Sequence, residues 1–295
     1  MLETPGLLPT YPLVVAASLL VAYLCGSVPV ALMVGRLAAG LDIREHGSGN
    51  TGTTNALRVL GWRAGITVLA GDVLKGVLGC LVVVAALLVA GNAVFEEGRA
   101  LIAQGDMQFA SASLAALSVA QGISTSGLAH DIPLALGLLA VILGHMFSPF
   151  MRFKGGKGIA VGFGGLLVVL PLVALSVLAV FALCALVSRT VSVGSLMASV
   201  ALPLCTALFT GGSPTYLVLT CLVTVVVIVA HRKNIARLVA GTEPRLKIGK
   251  HKDVPAREGA SAREGMQAPR VMQAPRVEHA PEGAPVSRAQ RRRES

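Results

Sequence analysis

The chain has 295 residues, of which 54% are hydrophobic and 14% charged, and its formal net charge at pH 7 is +10. Soluble domains carry about 25% charged residues. This composition, with a mean hydropathy of +0.73, excludes an ordinary soluble protein.

Apolar stretches recur along the chain, and several approach or exceed the ~20 residues that a helix needs to cross ~30 Å of hydrocarbon. The clearest stretches are 14–39, 66–90, 132–147 and 216–230. They are too long and unbroken for barrel strands, which predicts helical spans. The first run is preceded by Glu3 and by no Lys or Arg, so we expect no cleavable signal.

Charged residues are distributed unevenly among the segments between these runs. Segments 36–63, 151–157 and 232–252 are rich in Lys and Arg, whereas 92–131 has four acidic residues and only Arg99. The positive-inside rule therefore places the three basic segments in the cytoplasm and the acidic loop outside the cell, with an external N-terminus. We expect a multi-pass protein of the inner-membrane type.

The number of crossings must be even between the basic loop near 157 and the basic segment after 230. The apolar blocks are three: 159–187, 191–210 and 215–230. Parity is restored if 159–187 is a double passage broken near Pro171. The alternative is one long tilted helix there, with the basic tail outside. The prediction is an all-α polytopic membrane helical bundle of about seven transmembrane helices, two of them short.

The last ~45 residues have a different composition, rich in Pro, Ala, Gly, Arg and Glu, and MQAPRV occurs there twice. Such a segment cannot bury a core. We therefore expect a membrane domain over 1–253 and a disordered basic tail over 254–295.

The first polar motif is DIREHGSGNTGTTNALR, residues 42–58. Its glycines permit close backbone approach, and its Ser, Thr and Asn residues offer short hydrogen-bonding groups. Arg58 can bind phosphate through two parallel hydrogen bonds, and a helix that starts near Thr51 would add N–H groups for an anion. An anion site is favoured over a simple polar cap.

The second motif, GHMFSPFMRFKGGKG at 144–158, has two lysines around a Gly-Gly pair. It predicts a phosphate nest ahead of a helix, and it does not match a Walker A loop. The third motif is HRKNIARLVAGTE at 231–243, in which helical spacing places His231 and Asn234 on one side, with Arg237 as a further candidate for that side.

Charged and polar residues also occur near or within the apolar segments. Asp72 and Lys75 lie three residues apart in the second apolar run, so they should pair and face the interior. Either a structural ion pair or a role in the site fits them. Arg189 and the serines around it either return the chain to the cytoplasm or line the site, and for the serines we favour the first.

In these motifs the chain resembles the bacterial acyl-phosphate:glycerol-3-phosphate acyltransferases, the PlsY family, over roughly residues 15–250. The resemblance implies transfer of a fatty acyl group from acyl phosphate to the sn-1 hydroxyl of glycerol 3-phosphate, giving lysophosphatidic acid and phosphate. It also implies seven helices with an external N-terminus. Ser148, before Pro149, departs from the family pattern as an insertion.

The motifs and the resemblance together predict the site residues. The catalytic set comprises Ser48, Arg58, His231 and Asn234. The substrate-binding set comprises Arg44, Gly49, Asn50, Thr54, Asn55, Lys75, Lys154, Gly155, Gly156, Lys157, Gly158 and Glu243.

Acyl phosphate is an activated anhydride, so the enzyme mainly needs to position its substrates and stabilise charge. We expect the second motif to hold glycerol phosphate and the first to bind the donor's phosphate. The proton acceptor is His231 or the departing phosphate. We expect no metal, no other cofactor and no nucleic-acid partner; the partners are the two substrates and the lipid bilayer. A transporter for a phosphorylated metabolite and a lipid-binding scaffold are the alternatives.

Overall fold

Apolar helices make up most of the chain, which a computed structural model describes over residues 10–104 and 128–245. Both stretches belong to one unit, Met1–Ala256. The predicted tail, 254–295, lies outside the described residues. In chain order the helices are α1 Thr10–Ser27, α2 Val30–Ala39, α3 Thr53–Leu60, α4 Trp62–Ala103, α5 Leu128–Met146, α6 Ile159–Val169, α7 Pro171–Ser188, α8 Val191–Phe209, α9 Pro214–Ala230 and α10 Arg232–Val239.

Five segments of the described residues are long and apolar enough to cross a membrane, and α9 with α10, bent by 60°, counts as a sixth if the pair is one span. Helix α6 is apolar but has 11 residues, which are too few to cross the hydrocarbon alone. These apolar helices confirm the predicted all-α membrane bundle. Of the two helices predicted to be short, only α6 is, because α7 has 18 residues.

The predicted break near Pro171 is confirmed. Helix α6 ends at Val169 and α7 begins at Pro171, while Leu170 between them has non-helical angles. Proline has no N–H to donate and disfavours the helical region for the residue before it. The alternative of one continuous helix over 159–187 is therefore wrong.

A second break interrupts the first apolar run. Helix α1 ends at Ser27, and α2 begins at Val30 after Pro29. The uniform apolar composition of 14–39 conceals this break, although a proline at its centre marks the place. The break leads the chain directly into the first motif.

The predicted external loop 92–131 is wrong in its first part. Helix α4 continues to Ala103 and has 42 residues, so it is about 63 Å long. Its apolar span ends at Ala93. The acidic composition therefore marks the end of the span and not the end of the helix. Residues 105–127 lie outside the described part of the chain.

Helices α1 and α5 approach each other closely at two glycines. A Cβ on Gly26 would lie 2.2 Å from the carbonyl oxygen of Val141, and one on Gly144 would lie 2.1 Å from that of Tyr23. Small residues at helix contacts allow such backbone approach in membranes. This contact brings the end of α1 beside the end of α5, where the second motif begins.

Candidate active site

The first motif is organised by the buried side chain of Asn55, on α3. Its Oδ1 accepts hydrogen bonds from the backbone N–H of Ser48 at 2.8 Å and from the Ser48 hydroxyl at 3.1 Å. Its Nδ2 donates to the carbonyl oxygens of Ile43 and His46, each at 3.1 Å. Asn55 was predicted to bind substrate; these contacts give its amide a role in holding the loop that presents Ser48.

The loop before α3 turns at Gly47 and Gly49, whose φ angles are 62° and 69°. Helix α3 starts at Thr53, close to the predicted start. Exposed groups lie along this loop and helix: Ser48, Gly49, Thr54 and Arg58. The structure therefore leaves these predicted site residues accessible to a ligand.

Three buried oxygens lie at the start of α3. Within the described residues, Asn50 Oδ1, Thr51 Oγ1 and Thr53 Oγ1 have no hydrogen-bond partner. Buried polar atoms without partners are uncommon in folded proteins. Their position beside Ser48 is consistent with a ligand or water that completes the first motif.

Arg44 is engaged by a local partner. Its guanidinium donates to both carboxylate oxygens of Asp42, with Nε at 3.0 and 3.2 Å and NH2 at 2.6 Å. Hydrogen bonds from the Arg44 side chain and backbone lower the pKa of Asp42 to about 2. The substrate-binding role predicted for Arg44 stays a prediction, and its contacts are those of a local ion pair.

The glycines of the second motif cap α5. The N–H of Gly155 donates to the carbonyl of Met146 at 2.9 Å, and that of Gly156 donates to the carbonyl of His145 at 3.2 Å. A Cβ on Gly156 would lie 2.1 Å from the His145 ring. These two amides therefore donate to α5, and the phosphate nest predicted around them stays a prediction. Lys154 is exposed, and Gly158, with φ 83°, caps the start of α6.

A hydrogen-bonded network joins the second motif to the third. Lys157 Nζ donates to Asn234 Oδ1. Asn234 Nδ2 donates to Ser192 Oγ and to Glu243 Oε1, both at 2.7 Å. Ser192 also donates to Glu243, and Arg237 Nε donates to Glu243 Oε2 at 2.7 Å. Two motifs 77 residues apart are thus in direct contact.

Ser192 and Arg237 belong to this network but are absent from the predicted site residues. Ser192 lies on the first turn of α8. The sequence left open whether the serines there line the site or belong to a return of the chain to the cytoplasm, and the second interpretation was favoured. The sequence indicated the role of Ser192 in the network only weakly. Ser192 lies at the start of an apolar helix and is buried, and a buried serine needs a hydrogen-bond partner. Arg237 lies three residues after Asn234, a spacing that places the two side chains on one side of a helix.

Burial and the neighbouring groups of the network shift the pKa values of Lys157 and Glu243. Burial lowers the pKa of the Lys157 ammonium to about 8. The positive charge of Arg237 also lowers this pKa, and the negative charge of Glu243 raises it. Burial raises the pKa of Glu243, but hydrogen bonds from Ser192, Arg237 and Asn234 outweigh it and hold that pKa below the usual value. At neutral pH the network contains an ionised carboxylate beside a protonated lysine.

His231 lies buried at the bend between α9 and α10. Its Nδ1 is 2.8 Å from the carbonyl oxygen of Val227. Since a carbonyl can only accept, Nδ1 carries the proton and Nε2 keeps its lone pair. This is the tautomer that a general base at Nε2 requires.

The predicted pair in the second span is confirmed. Lys75 Nζ is 2.8 Å from Asp72 Oδ1, and both side chains are buried. Lys75 also donates to the carbonyl of Val28 at 2.9 Å, at the break after α1. His145 Nδ1 lies 3.7 Å from Asp72 Oδ1. A substrate-binding role for Lys75 stays a prediction.

The first and second motifs meet through apolar packing. Met151, in the short helical turn Pro149–Met151, shares a buried cluster with Ile43 and Ala56 of the first motif. The second and third motifs meet at Lys157 and Asn234. Three segments distant in the sequence are therefore joined in one region of the fold.

Comparison with known proteins identifies the family of this chain. A family model described as glycerol-3-phosphate acyltransferase matches residues 16–241. The glycerol-3-phosphate acyltransferase of Chlorobaculum tepidum is 38% identical over 255 residues, which cover 79% of this chain and 97% of the relative. That of Trichlorobacter lovleyi is 38% identical over 227 residues, covering 77% and 94%.

Two solved structures are also similar. The crystal structure of PlsY (YgiH), an integral membrane glycerol 3-phosphate acyltransferase, in its glycerol 3-phosphate form, has a TM-score of 0.59 at 28% identity and covers 81% of this chain and 96% of that chain. Its lysphosphatidic acid form has a TM-score of 0.58 at 28% identity, with 79% and 95% covered.

Proposed function

Because this chain belongs to the glycerol-3-phosphate acyltransferase family, we propose that it transfers a fatty acyl group from acyl phosphate to the sn-1 hydroxyl of glycerol 3-phosphate. The products are lysophosphatidic acid and phosphate. Acylation of glycerol 3-phosphate follows from the family, and the two forms of the similar PlsY structure name that substrate and that product. The acyl phosphate donor and the sn-1 position are the finer part of the proposal.

The observation that carries the proposal is the hydrogen bond between Lys157 and Asn234, which joins the second and third motifs, while Met151 of the second motif packs with Ile43 and Ala56 of the first. We call Lys154, Lys157 and the network of Asn234, Ser192, Arg237 and Glu243 the acceptor side. The first motif, with Ser48, Asn50 and Arg58, is the donor side. Each side offers positive charge and short hydrogen-bonding groups to one phosphate.

The acceptor side binds glycerol 3-phosphate through the ammonium groups of Lys154 and Lys157. Asn234 and Glu243 fix the position of Lys157, so its charge is in place before the substrate arrives. On the donor side, Arg58 and Ser48 bind the phosphate of the acyl donor, near the unpartnered oxygen of Asn50. The acyl chain extends among the apolar helices.

The chemical step needs only positioning and charge stabilisation, since the donor is already activated. The sn-1 oxygen attacks the acyl carbonyl carbon, the new ester bond forms, and the bond to phosphate breaks. The hydroxyl proton moves to Nε2 of His231 or to the departing phosphate. Measuring turnover of His231→Ala separates the two: near-normal turnover excludes His231 as the essential base, and a loss of about 10²-fold or more supports it.

The decisive experiment is a product assay with detergent-purified protein. We expect acyl phosphate plus glycerol 3-phosphate to give 1-acyl lysophosphatidate, while acyl-CoA and acyl-carrier protein give none. Activity with a thioester donor instead would contradict the donor assignment and leave glycerol 3-phosphate acylation in place. Uptake of glycerol 3-phosphate into vesicles without acyl product would favour a transporter.

The location of the site follows from the distribution of charge. We propose that the three motifs and the tail face the cytoplasm of the bacterial inner membrane, with the N-terminus outside. Reporters fused to the C-terminus and inserted between Gly211 and Gly212 should lie on opposite sides. We further propose that 254–295 is dispensable, so deletion of this tail should leave turnover within about two-fold, as expected for a solvated segment.

A further inference from the structure

One buried serine, Ser148, connects the loop that carries Lys154 and Lys157 to α1. It is fully buried. Its Oγ donates to the carbonyl oxygen of Ser27 at 2.6 Å, across 121 residues of sequence. Its own carbonyl oxygen accepts the N–H groups of Phe153 at 2.8 Å and Met151 at 3.1 Å. Ser148 therefore contacts both the end of α1 and the turn that leads to Lys154.

The carbonyl group of Ser27, which accepts this hydrogen bond, is held in place by its neighbours. It lies at the last residue of α1, where helix carbonyls lack helical partners. Helix α1 is fixed against α5 by the close contact at Gly26 and Gly144. The next carbonyl, that of Val28, is occupied by Lys75. Ser148 thus bonds to a well-supported point of the bundle.

The turn on the other side of Ser148 is strained. Arg152 and Phe153 have φ angles of 53° and 58°, so two consecutive non-glycine residues are left-handed. This conformation is unfavourable for L-residues and persists only where surrounding contacts hold it. The hydrogen bond from Phe153 N–H to Ser148 spans the turn. Lys154 follows immediately, and Lys157 three residues later.

We propose that Ser148 is a positioning residue for glycerol 3-phosphate binding. Its hydroxyl anchors the loop to α1, its carbonyl holds the left-handed turn, and together they place Lys154 and Lys157 for the acceptor's phosphate. The inference rests on the proposed function and extends it to a residue outside the predicted site. Ser148 does not contact substrate, and its effect passes through the two lysines.

The test is the kinetics of Ser148→Ala, which removes one hydroxyl and keeps the backbone. We expect the KM for glycerol 3-phosphate to rise about five-fold, because one buried hydrogen bond that orders the loop is lost. The kcat and the KM for acyl phosphate should stay within about two-fold, since the donor side is untouched. Ser18→Ala is the matched control, because Ser18 is also buried and also donates to a backbone carbonyl.

A second variant separates positioning from general stability. Glycine adopts the left-handed conformation without strain. In the double variant Ser148→Ala/Arg152→Gly, the KM for glycerol 3-phosphate should therefore return to within about two-fold of the parent value. A merely structural defect would not be rescued in this way.

The outcomes are distinct. An unchanged KM in Ser148→Ala, a fall in kcat alone, or failure of Arg152→Gly to restore affinity would each overturn the inference. If the parent protein itself forms no acylated glycerol phosphate, the proposed function fails instead. An active parent with an unaffected Ser148→Ala variant contradicts only the role of Ser148.

Discussion

The two sides of the candidate site are organised differently. On the acceptor side, charged and amide groups are bonded to one another: Lys157 to Asn234, and Asn234 to Glu243. On the donor side, one buried amide, Asn55, holds the backbone, while Ser48 and Arg58 are exposed. Three oxygens there are buried and have no partner within the described residues.

This difference indicates which substrate meets a preformed site. A network whose groups already satisfy one another needs little rearrangement to bind a small, hydrophilic acceptor. On the donor side, a ligand or water would satisfy the three buried oxygens that have no partner within the described residues. We infer that glycerol 3-phosphate enters a rigid site, and that the donor completes the first motif as it binds.

The largest effect should come from breaking the acceptor network at its centre. Asn234→Ala removes the contacts to Lys157, Ser192 and Glu243 together. Displacing a substrate-holding group by even ~1 Å can cost about 10²-fold in rate, so we expect kcat/KM for glycerol 3-phosphate to fall by about that factor. Lys233→Ala, an exposed neighbour on α10, is the control and should change it little. If kcat/KM for glycerol 3-phosphate in Asn234→Ala stays within three-fold of the parent value (a difference of about 0.7 kcal/mol), the network plays no part in the mechanism.

The donor side should respond to loss of one exposed cation. Arg58→Ala removes charge-assisted hydrogen bonds to a phosphate, and we expect kcat/KM for acyl phosphate to fall about 30-fold. Arg58→Lys should recover only part, because an ammonium cannot form the two parallel bonds of a guanidinium. The matched control is Arg63→Ala, an exposed basic residue on the next helix that lies over the Trp62 ring. Equal losses for both substrates would contradict the division into two sides.

The pH dependence should differ between the two sides as well. In the proposed mechanism Lys157 binds phosphate only when it is protonated, and burial lowers its pKa to about 8. The KM for glycerol 3-phosphate should therefore be flat near pH 7 and rise above pH 8, by at most about tenfold per unit. The KM for acyl phosphate should not show this rise. Lys157→Arg, which stays protonated, should abolish it; a rise that persists in that variant would assign the titration to another group.

Much of the fold was predictable because apolar length and proline are local signals. The run of 66–90 predicted α4, and Pro171 predicted the break after α6. The continuation of α4 to Ala103 was not predicted, because acidic composition reports where a span leaves the membrane and carries no information on whether the helix continues.

The site was predictable in its motifs and less so in its contacts. The motifs identified Lys157 and Asn234, but the hydrogen bond between them depends on how α6 and α10 pack. Ser192 was missed for the same reason: only the tertiary structure places it beside Glu243. The amides of Gly155 and Gly156 resemble a nest in sequence, and only the position of α5 shows where they donate.

The smallest effect should come from Arg44, although it belongs to the first motif like Arg58. Its guanidinium is paired with Asp42 on the same turn, and both side chains are partly exposed. Such pairs contribute about 0–1 kcal/mol, so Arg44→Gln should lower the free energy of unfolding by at most about 1 kcal/mol. Both KM values should change by less than about two-fold, because Arg44 is occupied by Asp42. Steady-state kinetics beside Arg58→Gln is the measurement. A large rise in the KM for acyl phosphate in Arg44→Gln would mean that Asp42 releases Arg44 when the donor binds. Arg44 would then be a second cation, beside Arg58, that binds the phosphate of the donor.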